Sequence, residues 1–526
     1  MKYLLRITLL SLLVGVSCTD LDENLRGDLA EDPGAPNNPG FGISENVNGS
    51  IPNDGLNAAY SRVLSGTAWH GSYFSVSEIS TDEAVITQKG GDWFDGGIWL
   101  NMHRHDFLPT NPGLNGAWND TYGGVTEANT LLASGTLDAN QTAQLRVLRA
   151  FFYWKLMDLF GRIKIVTTPG VDAPQVDRPV VFQWIVDEIN ASIPDLATSN
   201  GYSRVNVYVA HALLSRLYLN AEVYTRPYPY VAGTGNATDP NGDNYYQLAI
   251  DHADIIINSG VYDLADNFDD VFGPKNVESI EHIFVAPFDE KTGGGMNFAQ
   301  MTLHYPSQLT WDLAEQPWNG YSSLEEFYNS YDDNDLRKEA FFIAGPQTDQ
   351  PDGSGNPILD VAFDKADPDG APINYTPEIN ELAPNGSRQA GVRLGKFSFK
   401  LRQQNDMDND YTLLRYAEVL MNKAEATARL NDNWSHPTTI SLMNMVRARA
   451  GASAYTTLTE DEFIAERGRE FFQESLRRTD LIRFDRWGDV WWEKSAHNNA
   501  YKNVMPIPLD QINATTDGSL TQHTDY

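Results

Sequence analysis

The chain carries a single cysteine, Cys18, in 526 residues. No intrachain disulfide can form, so the fold has to be held by packing and polar contacts. Basic residues are also scarce, with 38 Lys and Arg against 71 Asp and Glu, a net charge of −33. That excess repels nucleic acid and anionic lipid, and neither is expected as a partner. After the N-terminal stretch no apolar run is long enough to cross a bilayer. Walker loop, dinucleotide fingerprint and nucleophile elbow are all missing. His103-Arg104-His105-Asp106 lacks a third well-spaced metal ligand. Asp406-Met407-Asp408-Asn409-Asp410 opens like a calcium loop, but Tyr411 stands where glycine is needed and Ala417 where the closing Glu belongs. No metal or cofactor is therefore expected. The pairs Glu78/Asp82 and Asp92/Asp95 could serve as acid and base in a glycosidase. In so acidic a chain such pairs arise by chance, and no catalytic residue is assigned.

What is present begins at the N-terminus. Lys2 and Arg6, the apolar stretch Ile7 to Val16 and small residues before Cys18 form a secretory signal over residues 1–17. Cys18 stands where an acyl anchor would attach, and residues 18–49, rich in Asp, Asn, Gly and Pro, read as a tether. Residues 50–526 read as one domain. Helices are expected from the Pro52-Asn53-Asp54 cap through Val63 and over Tyr73 to Ala84. Helical periodicity is strongest over Ala117–Leu132, Ala139–Phe160, Val180–Leu196, Val205–Tyr224, Tyr245–Asn258, Tyr411–Leu430, Pro437–Ala450 and Glu460–Leu476. Small Ala beside large apolar residues lets helices approach closely, as in tetratricopeptide-type arrays. The fold class is all-α, a degenerate helical-repeat scaffold with its body at about 117–260 and 411–526. Residues 68–116 and 261–400 are loop-rich, and loops that long point to ligand chemistry.

Aromatic content narrows that chemistry. The chain has 12 Trp and 24 Tyr, many beside Gly, Asn, Asp and Pro. In Gly90-Gly91-Asp92-Trp93-Phe94-Asp95-Gly96-Gly97-Ile98-Trp99-Leu100-Asn101, three large rings sit among glycines and carboxylates. Sugar C–H faces stack on indole while Asp and Asn accept hydroxyl hydrogen bonds. A second loop, Trp311 to Tyr321, repeats the pattern, with Trp318 held in a turn by Pro317 and Asn319-Gly320. Trp93, Trp99 and Trp318 are expected to form one platform, with Phe94, Asp92, Asp95, Asn101 and Asn319 beside it. The bland alternative is that some of these rings pin loops to the body.

Several motifs, in order, carry a resemblance. They are Cys18-Thr19-Asp20-Leu21-Asp22, Glu78-Ile79-Ser80-Thr81-Asp82-Glu83, Tyr331 to Arg337, Leu414 to Leu420, Asn444 to Gly451, Glu466 to Phe471, Arg478 to Phe484, Met505-Pro506-Ile507-Pro508 and the closing Tyr526. With them the chain resembles the SusD/RagB nutrient-binding outer-membrane lipoproteins of Bacteroidetes. The resemblance implies four tetratricopeptide-like helix pairs, a loop-built glycan site, and a SusC-like TonB-dependent transporter that the protein covers as a lid. It implies binding and delivery of oligosaccharides without cleavage, from a lipid anchor at the outer-membrane surface. The motifs themselves fall in the helical body and are mostly packing and ion-pair residues. A Trp-rich site suits glucans, and the likeness of the Gly90 to Asp95 loop to those of marine glucan users implies a β-1,3-glucan such as laminarin, with starch-like α-glucan and mannan open. Two rival readings are a helical-repeat scaffold for protein partners and a surface glycoside hydrolase.

Overall fold

A computed structural model describes residues 52, 54–291, 295–360, 370–515 and 518–526. The signal segment, Cys18 and the tether to residue 49 lie outside them. All described residues belong to one compact unit, residues 43–526.

Among the described residues eight helices have twelve residues or more: α1 (Pro112–Leu132), α2 (Ala139–Phe160), α3 (Arg178–Ser192), α4 (Val207–Leu219), α5 (Tyr245–Ser259), α6 (Tyr416–Leu430), α7 (Pro437–Arg449) and α8 (Glu460–Phe471). The sequence explains their starts. Pro112 occupies the first turn of α1, and Asn111 Oδ1 accepts from the Gly113 N–H at 2.8 Å. Asp138 with Gln141 and Thr459 with Glu462 form reciprocal capping boxes at α2 and α8. Helix α2 is buried on every side from residue 147 to residue 160, so its apolar residues show no one-sided stripe. At Gly124 of α1 a Cβ would stand 2.5 Å from the Phe152 ring, so glycine sets the close approach to α2. Packing runs α1 on α2, α2 on α3, α4 on α5 and α6 on α7. Helix α5 also packs on α6, joining the two halves of the helical body across the loop-rich section.

Four short strands position the loops: β1 (Ala84–Ile86), β2 (His282–Ala286), β3 (Tyr321–Ser323) and β4 (Tyr411–Arg415). Here three helix expectations are corrected. Tyr411–Arg415 is not the start of α6 but a strand antiparallel to β2, with Tyr411 opposite Ala286 and Arg415 opposite His282. An aromatic and a β-branched residue suit that pleated position. The helix from Tyr73 stops at Glu78. There the hydroxyls of Ser80 and Thr81 donate back to the carbonyls of Val76 and Glu78, each at 2.7 Å, and compete with the helical ladder. Helix α8 ends at Phe471, before Gln473 and Ser475 take φ of 64° and 59°.

Between α6, α7, α8 and β4 lies a buried ion network. Arg415 donates to Glu281 at 2.6 Å, Glu470 at 2.9 Å and Glu474 at 2.7 Å. Arg337 donates to Asp335 at 2.7 Å, Glu466 at 2.7 Å and Glu470 at 3.1 Å. Arg449 bridges Glu281 and Glu470, and Lys396 joins Glu474. A neighbouring set couples Arg483 to Glu425 at 2.7 Å and to Asp480 at 2.6 Å. Burial pushes the Glu466 and Glu425 carboxyls up, but the guanidiniums around each outweigh it and hold both down at about 2. Most of the ordered sequence motifs supply this network, so they describe a scaffold.

Candidate functional site

The antiparallel pair β1–β3 places Ala84 opposite Ser323 and Ile86 opposite Tyr321. The loop leaving β1 and the turn entering β3 therefore emerge side by side. Lys89 fastens them: its buried ammonium donates to the carbonyls of Thr87 at 3.3 Å and Gly320 at 3.2 Å. Burial, and then Arg393 and Arg388, lowers its pKa well below the usual lysine value. The Trp93 indole N–H donates to the Trp318 carbonyl at 2.7 Å across 225 residues of sequence. Gly320 lies under that indole, where a Cβ would stand 2.4 Å from the ring. Trp93, Asp95 and Asn319 take φ of 60°, 44° and 57°, strained values for side chains other than glycine and consistent with a loop fixed by its contacts.

The rings gather around His70. Its ring centroid lies 5.1 Å from Trp93, 5.0 Å from Trp99, 6.0 Å from Trp318 and 5.8 Å from Tyr321. The Tyr321 hydroxyl is 2.9 Å from His70 Nδ1. Burial lowers the His70 pKa to about 4 against the opposing pull of Asp95, so the hub is neutral at pH 7.

Within this group the expected residues divide. Trp93 and Trp318 are half-buried and Phe94 is 47% exposed. Trp99 is only 2% exposed and donates from Nε1 to Asp95 at 2.8 Å. It lies beneath the surface and holds the loop. Asn319 is fully buried, and its Oδ1 accepts from Arg393 at 2.9 Å. Asn101 is half-buried one turn along the short helix Ile98–His103. Asp92 accepts from the Tyr305 hydroxyl and, at 2.9 Å, from Arg388, whose guanidinium lies 5.3 Å from the Tyr305 ring centroid.

Four residues of this surface escaped the sequence reading: Trp69, His70, Tyr305 and Arg388. Trp69 is 41% exposed, and its ring lies against Gly295, where a Cβ would come within 2.9 Å. Trp69-His70-Gly71 carries the same signal as Trp93, an aromatic beside glycine. Tyr305 and Arg388 carry no local signal, because their partner Asp92 is remote in sequence.

The residues considered for catalysis are engaged elsewhere. Glu78 is buried and accepts from the Ser475 N–H at 2.7 Å, and burial raises its pKa to about 7. Asp82 accepts from Arg477 at 2.7 Å. His105 spends both ring nitrogens internally, on His497 and on the Ser80 carbonyl, each at 2.8 Å. Asp406 accepts from the Gly295 N–H at 3.0 Å, Asp408 pairs with Lys400, and Asp410 accepts from Tyr202, so the three point to separate partners. Among the described residues no three His, Cys, Asp or Glu side chains converge as metal ligands. Also among them, no helix is long and apolar enough to cross a membrane.

Comparison with known proteins agrees with the fold. Residues 380–519 match the model of the SusD family. The chain is 25% identical over 442 residues to the starch-binding protein SusD of Bacteroides thetaiotaomicron, covering 77% of this chain and 74% of that one. It is 22% identical over 516 residues to the SusD-like protein P2 of Formosa agariphila, covering 92% and 89%. Among solved structures it is similar to surface glycan-binding protein A from Bacteroides thetaiotaomicron in complex with laminarihexaose, with a TM-score of 0.68, 22% identity and coverage of 91% of this chain and 99% of that one. A laminarin-binding SusD-like protein aligns with a TM-score of 0.67, 21% identity and coverage of 90% and 98%. Ordered motifs, helical scaffold and these likenesses converge on one conclusion: the chain has the fold of the SusD-like proteins and is similar to the SusD family, whose model its residues 380–519 match.

Proposed function

We propose that this protein is a cell-surface lipoprotein, anchored through Cys18, that captures neutral oligosaccharides on the Trp93–Trp318 surface and passes them to a SusC-like TonB-dependent transporter. The observation that carries the binding reading is the hydrogen bond from the Trp93 indole to the Trp318 carbonyl, which ties two loops 225 residues apart and brings two half-buried tryptophans to the same His70 ring. Flat aromatic faces with a few polar groups at their edge suit a pyranose ring. Trp93, Trp318, Phe94 and Trp69 supply faces. Asp92, Asp95 and Asn101 orient hydroxyls at the rim, while Trp99 and Asn319 act from beneath by fixing Asp95 and the turn. The net charge of −33 disfavours anionic glycans. A β-1,3-glucan such as laminarin is the preferred ligand, in keeping with the two similar structures whose descriptions name laminarihexaose and laminarin. Binding proceeds without cleavage, since the carboxylates near the surface are held by Tyr305, Arg388 and Trp99.

Calorimetry with laminarin, starch and mannan tests the reading. Laminarin should bind in the micromolar range or weaker and with little salt dependence, as stacking and neutral hydrogen bonds carry the contact. No shorter products should accumulate. Binding that collapses at moderate salt would contradict neutral-sugar recognition, and new reducing ends would contradict a purely binding role.

A further inference from the structure

The loop that carries Trp318 also borders a cleft that the aromatic surface does not use. The helical turn Gln308–Trp311 sits between Tyr305, whose hydroxyl reaches Asp92, and Trp318. Trp311 lines a cavity of about 400 Å³. Phe399 meets the Trp311 ring edge to face at 5.5 Å between centroids, and Phe342 supplies a further apolar wall. Gln350, which is exposed, lines the same cavity, as does the buried Gln347, whose amide N–H donates to the Gly345 carbonyl at 2.9 Å. The indole N–H of Trp311 is buried and meets no acceptor among the described residues. Buried donors are seldom left so. Among the described lining residues the charged ones, Glu339 and Asp352, are both acidic, so these walls offer no cation to a carboxylate, sulfate or phosphate. Volume, aromatic walls and a few neutral polar groups match the usual make-up of a small-molecule site.

We propose that this cleft is a second saccharide site, taking a neutral sugar with its ring face on the Trp311 wall and its hydroxyls on the Gln350 amide. The class of ligand rests on the reading of the Trp93–Trp318 surface. Because one segment, residues 305–318, borders both places, a long glycan that occupies the first holds its neighbouring units near the second. That second contact is then intramolecular, and polysaccharide is retained over short oligosaccharide without any stronger single contact.

Titration calorimetry with laminarihexaose and with laminarin separates the possibilities, using the full chain and the variants Trp318→Ala, Ala344→Trp and Gln350→Ala. Ala344 and Gln350 are exposed residues on the cleft wall, so their replacement spares the core, and a thermal melt confirms the fold. The wild type should bind two laminarihexaose molecules, Ala344→Trp and Trp318→Ala one each, and the double variant none. Gln350→Ala should weaken the second site several-fold. Ala344→Trp should also narrow the preference for laminarin over laminarihexaose. The cleft assignment fails if Ala344→Trp and Gln350→Ala leave stoichiometry and affinity at wild-type values while Trp318→Ala abolishes binding. If the wild type binds neither glycan, the reading of the aromatic surface fails first and the cleft assignment falls with it.

Discussion

The buried ion network and the aromatic surface are built on opposite principles. In the network, long charged side chains are taken out of water and each is satisfied several times over: Arg415 alone meets Glu281, Glu470 and Glu474. Such pairs add little net stability over apolar packing, yet losing one partner strands the rest in a low dielectric. The network therefore acts as an all-or-none specification of how α6, α7, α8 and β4 meet. On the surface, by contrast, Trp69, Phe94, Trp93 and Trp318 stay partly exposed, and the loops that carry them are fixed by a few contacts such as the Trp93 N–H on the Trp318 carbonyl. Rigid scaffold and adaptable surface can then vary independently, which is how one fold can serve different ligands.

The strongest way to break this comparison is Arg415→Ala. It leaves Glu281, Glu470 and Glu474 short of a counter-charge and should cost about 3–5 kcal/mol, read as a large fall in the urea midpoint or failure to fold. A loss no greater than that of a surface substitution would mean that the network is not structural. Trp99→Ala sharpens the border between the regions. Although it was expected in the platform, Trp99 is core, and its removal should cost about 3 kcal/mol of stability by cavity formation. Wild-type melting with weakened glycan binding would return it to the surface.

Acid separates the regions by pH. Burial holds His70, His103, His252, His282, His497 and His523 at about 4, below the ordinary 6.5. Between those values the unfolded chain takes up protons that the folded chain refuses, so this contribution is complete above pH 6.5 and lost as pH falls toward 4. Glu466 and Glu425 behave alike in a lower window: their contribution is present above the ordinary value of 4.5 and lost as pH falls toward 2. Chemical denaturation across pH 7 to 3 should show a decline that begins near pH 6.5. Glu78 and Asp410, raised by burial to about 7, add stability as pH falls over the same window, so a profile still flat to pH 5 after Glu78→Gln and Asp410→Asn would contradict the buried neutral histidines.

Much of the scaffold was legible because helices declare themselves locally. The capped starts of α2 and α8 and the periodicity of α4 and α5 need no knowledge of distant residues. Strand β4 was misread because Leu413 and Leu414 continue the apolar pattern of α6, while its real partner, His282–Ala286, lies far back in the chain. The aromatic surface was legible in chemistry but not in depth. Glycines around Trp93 and Trp99 suggested two exposed rings, yet the short helix Ile98–His103 turns Trp99 inward with Leu100 and Met102. Tyr305 and Arg388 were invisible because nothing near them in sequence reveals Asp92.

The central claim is that the Trp93–Trp318 surface binds glycan and the network does not. It is tested most directly by measuring laminarin affinity and thermal melting on Trp318→Ala in parallel. Trp318 is half-buried at the edge of the cluster. Its loss should weaken binding by about 1–3 kcal/mol, in line with other ring-on-aromatic stacking, with little change in melting temperature. A marked fall in melting temperature with laminarin affinity intact would show Trp318 to be a packing residue and contradict the account.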